Sequence, residues 1–220
     1  MNYGKVIRGE FISRPNRFIA HVNIGGEETV VHVKNTGRCR ELLIPGAEVY
    51  LEEASNPNRK TKYDLIAVRK SNGVLFNIDS QAPNAVVKEW LERQNIARIV
   101  PEYRYGDSRI DFFLENETED WKMLIEVKGC TLERGGIGYF PDAPTERGVR
   151  HLHELMKARK EGYDAAIAFV MQADGMKKVL PNDETHPAFG KAFREAQAAG
   201  VKVLYLPCHV EPDSLEIRET

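Results

Sequence analysis

Ser108-Arg109-Ile110-Asp111-Phe112-Phe113-Leu114 and Met123-Leu124-Ile125-Glu126-Val127-Lys128-Gly129-Cys130 are two apolar runs on either side of the polar stretch Glu115-Asn116-Glu117-Thr118-Glu119-Asp120. Runs of this kind around a polar loop read as two strands of a hairpin. With the turn centred between Thr118 and Glu119, Ile110 faces Val127, Phe112 faces Ile125 and Leu114 faces Met123, which makes one face wholly apolar. On the other face Phe113 meets Leu124, Asp111 meets Glu126 and Arg109 meets Lys128, because side chains alternate along a strand. Directly opposed carboxylates, with Cβ atoms about 4.5–5.5 Å apart, repel. They need something positive between them. A hard divalent cation with oxygen ligands meets that need, and Lys128 projects to the same side as Glu126.

An Asp followed, on the next strand of a hairpin, by Glu-x-Lys resembles the metal site of the PD-(D/E)xK nuclease superfamily. The frame around it is more particular. Asn35-Thr36-Gly37-Arg38 and Leu43-Ile44-Pro45-Gly46-Ala47 lie upstream, and Pro141-Asp142-Ala143-Pro144-Thr145-Glu146-Arg147-Gly148 lies downstream. Together with the hairpin these motifs resemble the sugar fermentation stimulation (SfsA) family over essentially the whole chain. The family's name describes a cellular phenotype and not a reaction.

The chain of 220 residues is long enough to bury a sizeable core as one large or two small domains. No apolar run approaches a membrane span, and the N-terminus lacks a signal-peptide stretch. Cys39, Cys130 and Cys208 show no metal-type spacing, so a reduced, cytoplasmic setting is expected. Residues 1–80 carry 12 Lys/Arg against 9 Asp/Glu, and the remainder carries 19 against 24. A mildly basic part beside an acidic, cation-demanding one suits a polyanionic partner.

Residues 3–79 read as short strands, Val6 to Ser13, Phe18 to Ile24, Glu28 to Val33, Ala47 to Glu53, Tyr63 to Lys70 and Val74 to Ile78, broken by Gly, Pro and Asn turns such as Asn56-Pro57-Asn58. A helical turn around Cys39 to Leu43 plugs one end. This spacing predicts a small all-β barrel of the OB type over residues 1–82, and the family resemblance implies the same. Arg14, Arg17, Lys34, Arg38, Arg40, Arg59, Lys60 and Lys62 are its candidate phosphate contacts; the competing reading is an ordinary solvated surface.

Residues 83–220 are expected to form an α/β domain of restriction-endonuclease type. Asn84 is read as the cap of a helix from about Ala85 to Asn95. The nuclease resemblance implies an extra acidic group on the first helix, for which Glu89 is the candidate, with Glu92 and Glu102 competing. The Gly-rich connection from Gly129 to Phe140 is read either as a close approach for a phosphate backbone or as a flexible excursion. Pro144-Thr145-Glu146 opens a helix to about Glu161, with Val149, Leu152, Leu155 and Met156 on one face and Arg147, Arg150, His151 and Glu154 on the other. That polar face is either solvated or, through Arg147 and His151, aimed at a scissile phosphate. Tyr163 to Met171 is a strand buried on both faces, followed by a helix from about Ala188 to Ala199 and a second buried strand, parallel to the first, from Val201 to Leu206.

The resemblance implies a metal-dependent nuclease. Asp111, Glu126 and the Val127 carbonyl would hold Mg²⁺ or Mn²⁺, polarising a phosphate oxygen and activating a water. Lys128 would orient or deprotonate that water, or stabilise the charge that develops at phosphorus. DNA is the expected partner, with RNA and a homodimer left open and no membrane association. Two rivals remain at this point. One is a DNA-binding regulator of sugar (maltose) metabolism genes that keeps the nuclease architecture without cutting. The other makes the barrel a protein-docking module and the carboxylates a structural ion site.

Overall fold

The computed structural model describes all residues except 36, 57, 117–120 and 219–220. The centre of the expected hairpin turn at Thr118 and Glu119, Thr36 of the upstream motif and Pro57 of the Asn56-Pro57-Asn58 turn lie outside the described residues. Strands β1 (Val6–Ser13), β2 (Ile19–Ile24), β3 (Glu27–Val33), β4 (Glu48–Glu53), β5 (Tyr63–Arg69) and β6 (Leu75–Asn77) pair in the order β3-β2-β1-β4-β5-β6. A parallel pairing of β3 with β5, His32 opposite Asp64 and Val33 opposite Leu65, closes the sheet into a five-stranded barrel with β6 appended. Alternation builds the interior: Ala20 and Val22 of β2, Val31 and Val33 of β3, and Val49 and Leu51 of β4 are buried. Irregular registers at Phe11/Ser13 and Tyr50/Leu51 supply local bending of the kind barrel closure needs. The turn at Cys39 is a single one, Leu43 N–H donating to the Cys39 carbonyl, and it buries Cys39, Leu42 and Leu43 as a plug.

The second unit contains α1 (Ala82–Glu92), β7 (Arg98–Tyr105), β8 (Ser108–Asn116), β9 (Trp121–Cys130), β10 (Glu133–Arg134), β11 (Ile137–Phe140), α2 (Glu146–Lys160), β12 (Asp164–Met171), β13 (Lys178–Pro181), α3 (Pro187–Ala198), β14 (Lys202–Glu211) and β15 (Ser214–Ile217). Its main sheet runs β15-β14-β12-β9-β8-β7. As expected, β12 is almost wholly buried and is parallel to β14; it also pairs in parallel with β9, and β14, expected to be buried, alternates between buried and exposed positions. Helix α1 packs on one face and α2 with α3 on the other.

Three readings are corrected by the fold. First, α1 begins at Ala82 with Gln81 at its N-cap and a proline in its first turn, so Asn84 lies inside the helix and is not its cap. Proline suits this place because its missing N–H has no partner there anyway. Second, the Gly-rich excursion is ordered: β10 and β11 form a hairpin, and β11 pairs in parallel with β13. Third, β8 and β9 keep the expected register from Phe112 opposite Ile125 to Asn116 opposite Trp121, but the ladder stops before Asp111. Beyond it Ile110 packs with Phe113 and Leu124 rather than with Phe112, so the apolar face is not continuous. On β7 the neighbouring residue Glu102 has a φ of +53°, which marks the same break in alternation.

Barrel and sheet share their cores. Ile66, Ala67 and Leu75 belong with α1 and β9, while the barrel interior is continuous with the layer under α2 and α3. Polar groups cross the junction too. Gln172 donates to Asn77 Oδ1 (2.9 Å) and to the Asp79 carbonyl (3.1 Å), and Asn77 donates to the Tyr3 hydroxyl (2.8 Å). Lys70 pairs with Glu133 at 2.8 Å, and the Arg38 N–H donates to Asp142 Oδ2 at 3.1 Å. Residues 1–3 lie against β15: the Met1 amine donates to the Leu215 carbonyl (2.7 Å) and the Tyr3 N–H to that of Asp213 (2.8 Å). No helix among the described residues is long and apolar enough to cross a membrane.

Candidate active site

Where the β8–β9 ladder ends, Asp111 fills the gap. Its Oδ2 accepts the Val127 N–H at 2.7 Å, and its Oδ1 accepts from Asn84 Nδ2, on the first turn of α1, at 2.8 Å. Glu126 is 2% exposed. Its Oε1 accepts from both Lys128 Nζ and His151 Nδ1, while its Oε2 is buried with no partner among the described residues. The two carboxylates are driven apart in acidity. Burial and the charge of Glu126 push Asp111 up, against Lys128, the Val127 N–H and Asn84. Burial would raise Glu126 as well, but His151 and Lys128 outweigh it and hold the group below its usual range. Two carboxyl groups set in opposite directions by their surroundings are a recurring sign of acid–base or metal chemistry.

His151 departs from the expected face. It is buried with Gly148, Leu152, Leu155 and Ala158, because positions three and four apart share a helix side. It aims at Glu126 rather than at a phosphate site. Arg147 Nε donates to His151 Nε2 at 3.3 Å, which leaves the proton on Nδ1 to donate to Glu126. Arg147 is itself exposed, at the outer end of this relay. The N-cap Thr145, accepting from the Gly148 N–H at 3.0 Å, fixes the helix start that places both residues.

The other acidic candidates lie elsewhere. Glu89 pairs with the Met1 amine (2.7 Å), Glu92 with Lys88 (3.6 Å) and Glu102 with Arg109 (3.8 Å). From α1 it is Asn84, read from sequence as a cap, that reaches Asp111. The three cysteines are free and buried, and burial pushes each thiol up to about 12, so none is primed as a nucleophile.

The basic candidates separate into two groups. Arg14 donates to the carbonyls of Arg17, Asn35, Gly37 and Arg38, so its guanidinium holds the loop together and is not free for phosphate. Arg59 forks onto Asp64, and Lys34 lies between Glu52, Asp64 and Asp79. Lys62 is exposed, beside Glu53 and over the Tyr63 ring, and Lys60 is exposed. Arg17, Arg38 and Arg40 are exposed and line one cleft of about 460 Å³ with Phe11, Leu43 and Pro45. The sequence put eight basic residues on one footing; the fold gathers three of them, with Arg14 as their brace.

Residues 12–78 match the family model described as the SfsA N-terminal OB domain, and residues 81–214 match the sugar fermentation stimulation protein RE domain. The chain belongs to the SfsA family. It is 52% identical over 219 residues to the sugar fermentation stimulation protein homolog of Desulfitobacterium hafniense (strain DSM 10664 / DCB-2), covering 98% of this chain and 95% of the relative. It is 50% identical over 223 residues to that of Clostridium beijerinckii (strain ATCC 51743 / NCIMB 8052), covering 100% and 97%. Among solved structures, Pyrococcus furiosus SfsA in complex with Ca²⁺ is similar with a TM-score of 0.86 at 29% identity, over 99% of this chain and 95% of that one.

In this SfsA chain the donors suit a hard cation. Among the described residues no three His, Cys, Asp or Glu side chains gather as a ready metal cluster. Two carboxylates and one backbone oxygen, those of Asp111, Glu126 and Val127, are the donors that could hold a cation here. The bare, buried Glu126 Oε2 is the observation that fits a cation, because a buried carboxylate oxygen left without a partner is costly. An all-oxygen donor set favours Mg²⁺, Mn²⁺ or Ca²⁺ over softer metals.

Proposed function

We propose that this SfsA protein is a DNA-binding, divalent-metal-dependent nuclease that hydrolyses phosphodiester bonds at Asp111 and Glu126. The observation that carries this reading is the divided state of Glu126. One oxygen is saturated by His151 and Lys128, and the other is buried and bare, beside a second carboxylate held by Asn84 and the Val127 N–H. The Ca²⁺ complex of Pyrococcus furiosus SfsA supports a hard cation here, and Mg²⁺ or Mn²⁺ is proposed as the working metal. The chemistry that such an ion supplies, when bound, is polarisation of a phosphate oxygen and a lowered pKa for a bound water.

The chain's own residues do the rest. Asn84 and the Val127 N–H fix the Asp111 carboxylate, and His151 fixes that of Glu126. Lys128 keeps Glu126 ionised in the resting state and is the group placed to orient a water or to stabilise charge on the phosphoryl oxygens. Arg147, exposed beyond His151, contacts phosphate from the α2 side. The unit divides near residues 82–83, with the barrel's Arg17, Arg38 and Arg40 as the nucleic-acid contacts, and its place of action is the cytoplasm.

A second reading has an observation in its favour. Lys128 is paired with Glu126, as a mere neutraliser would be. Under it the protein binds DNA without cutting and regulates sugar-metabolism genes. Incubation of the purified protein with single- and double-stranded DNA and RNA, with Mg²⁺, Mn²⁺ or EDTA, decides. Cleavage that needs the metal supports the nuclease. Metal-independent binding with no cleavage under any condition leaves the regulator.

A further inference from the structure

A cavity of about 160 Å³ lies between the two units, with Ser80, Asn35 and Gly37 on the barrel side and Thr131, Asp142 and Gln172 on the sheet side. Two of its wall residues adjoin the candidate active site in the chain. Gly129 follows Lys128, and Pro83 precedes Asn84. At its other end Gly37 is shared with the cleft that holds Arg17, Arg38 and Arg40. Gly37 is therefore a wall common to the cavity and to the cleft of three exposed arginines, and Gly129 and Pro83 set the cavity next in the chain to Lys128 and Asn84.

The cavity and the cleft differ in chemistry. Among the described residues none that lines the cavity is Lys or Arg, and the Asp142 carboxylate would repel a phosphate. Gln172 Oε1, lying over Gly129, and the Ser80 hydroxyl oxygen instead offer acceptors for the N–H groups of a base edge, while Asp142 Oδ2 takes the Arg38 N–H and Tyr139 and Phe140 stand on the wall. The cleft beyond Gly37 is cationic and suits the backbone. The junction is built tightly: a Cβ on Gly37 would overlap Asp142 Oδ2 and crowd Asn35. A duplex keeps its bases stacked and paired, so only an unpaired nucleotide can offer a base to an enclosed recess of this size.

We propose that the interdomain cavity receives one unpaired nucleobase, and that the single strand carrying it runs from Glu126 and Lys128 across Gly37 to Arg17, Arg38 and Arg40. The preferred substrate is thus nucleic acid with a single-stranded stretch. This rests on nucleic acid being the ligand, and it is tested without cleavage.

Fluorescence anisotropy in EDTA compares a labelled single strand of about 12 nucleotides with the same strand in a blunt duplex. The single strand is expected to bind at least about tenfold more tightly, the scale of one stacked base. Ser80→Tyr places bulk at the exposed mouth of the cavity and should bring single-strand affinity down to that of the duplex. A triple substitution Arg17→Ala, Arg38→Ala, Arg40→Ala, all at exposed positions, should reduce the salt slope for the single strand by about 2. A strand carrying 2-aminopurine should change in fluorescence with the wild type and not with Ser80→Tyr. Equal or tighter binding of the blunt duplex, or a preference unchanged in Ser80→Tyr, overturns the proposal. If the duplex binds in EDTA and is cut once Mg²⁺ or Mn²⁺ is added, while the single strand does neither, the nuclease survives and the cavity assignment alone falls. If neither form binds, the nucleic-acid reading falls with it.

Discussion

Lys128 and His151 hold the same oxygen of Glu126, yet their losses should be told apart. Interactions made chiefly in the transition state change rate and not ground-state affinity. Lys128→Ala should therefore leave DNA binding nearly intact and cut metal-dependent cleavage by about 10²–10³, measured by binding and single-turnover assays on one preparation. A loss of metal affinity first would mean that Lys128 only neutralises the acidic pair. Asp111→Asn should weaken Mn²⁺ binding in calorimetric titration of a folded protein, because a charged ligand is removed; unchanged affinity would sink the paired-carboxylate site. Alternation put Glu126 and Lys128 on one side of β9, whereas Asp111, read as directly opposite Glu126, meets the Val127 N–H instead because the ladder ends before it. His151 was misplaced because a polar residue on a helix is ordinarily exposed, and nothing local reveals a partner 25 residues away. Asn84 was hidden for a related reason, its type being equally at home as a cap.

Strand β9 meets α1 and the end of β12 at Gly129, where a Cβ would overlap Gln172 Oε1 and lie 2.7 Å from Pro83 Cγ. Gly129→Ala should displace the turn that carries Asn84 and destabilise by about 1–3 kcal/mol, seen as a lowered Tm together with weaker metal binding. On β5, Asp64 is pushed down to about 2: burial alone would raise it, but Arg59, His32 and Lys34 prevail. A depressed folded-state pKa contributes stability that is complete above the unfolded value, near 3.8, and is lost as pH falls through about 2. Urea midpoints across that window should fall in the wild type more steeply than in Asp64→Asn; parallel curves would remove Asp64 as the cause. The barrel strands were legible almost to the residue, because half-buried alternation ends cleanly at Gly and Asn turns. Strand β7 was not, since Pro101 and its charges blur the period, and β13 and β15 are too short to show one.

The whole molecule is fastened at the Tyr3–Asn77–Gln172 bonds, at Lys70–Glu133 and at Arg38–Asp142, over two apolar clusters that each cross the junction. Calorimetry should accordingly show one unfolding transition, and Gln172→Ala, which leaves Asn77 and the Asp79 carbonyl short of a donor, should cost about 1–3 kcal/mol or split the transition in two. An unchanged single transition at an unchanged temperature would show that the polar bridge contributes nothing. No sequence pattern announced this union, because each bond joins residues some 60 to 100 positions apart. The widest join is that of residues 1–3 to β15, between groups up to 214 positions apart. On a ribosome adding roughly 5–20 residues per second, the first residues wait roughly 10–40 s for their partners. The barrel is thus complete in sequence long before residues 1–3 have their partner to dock on, and β15, the last of the described strands, is the one that closes the whole.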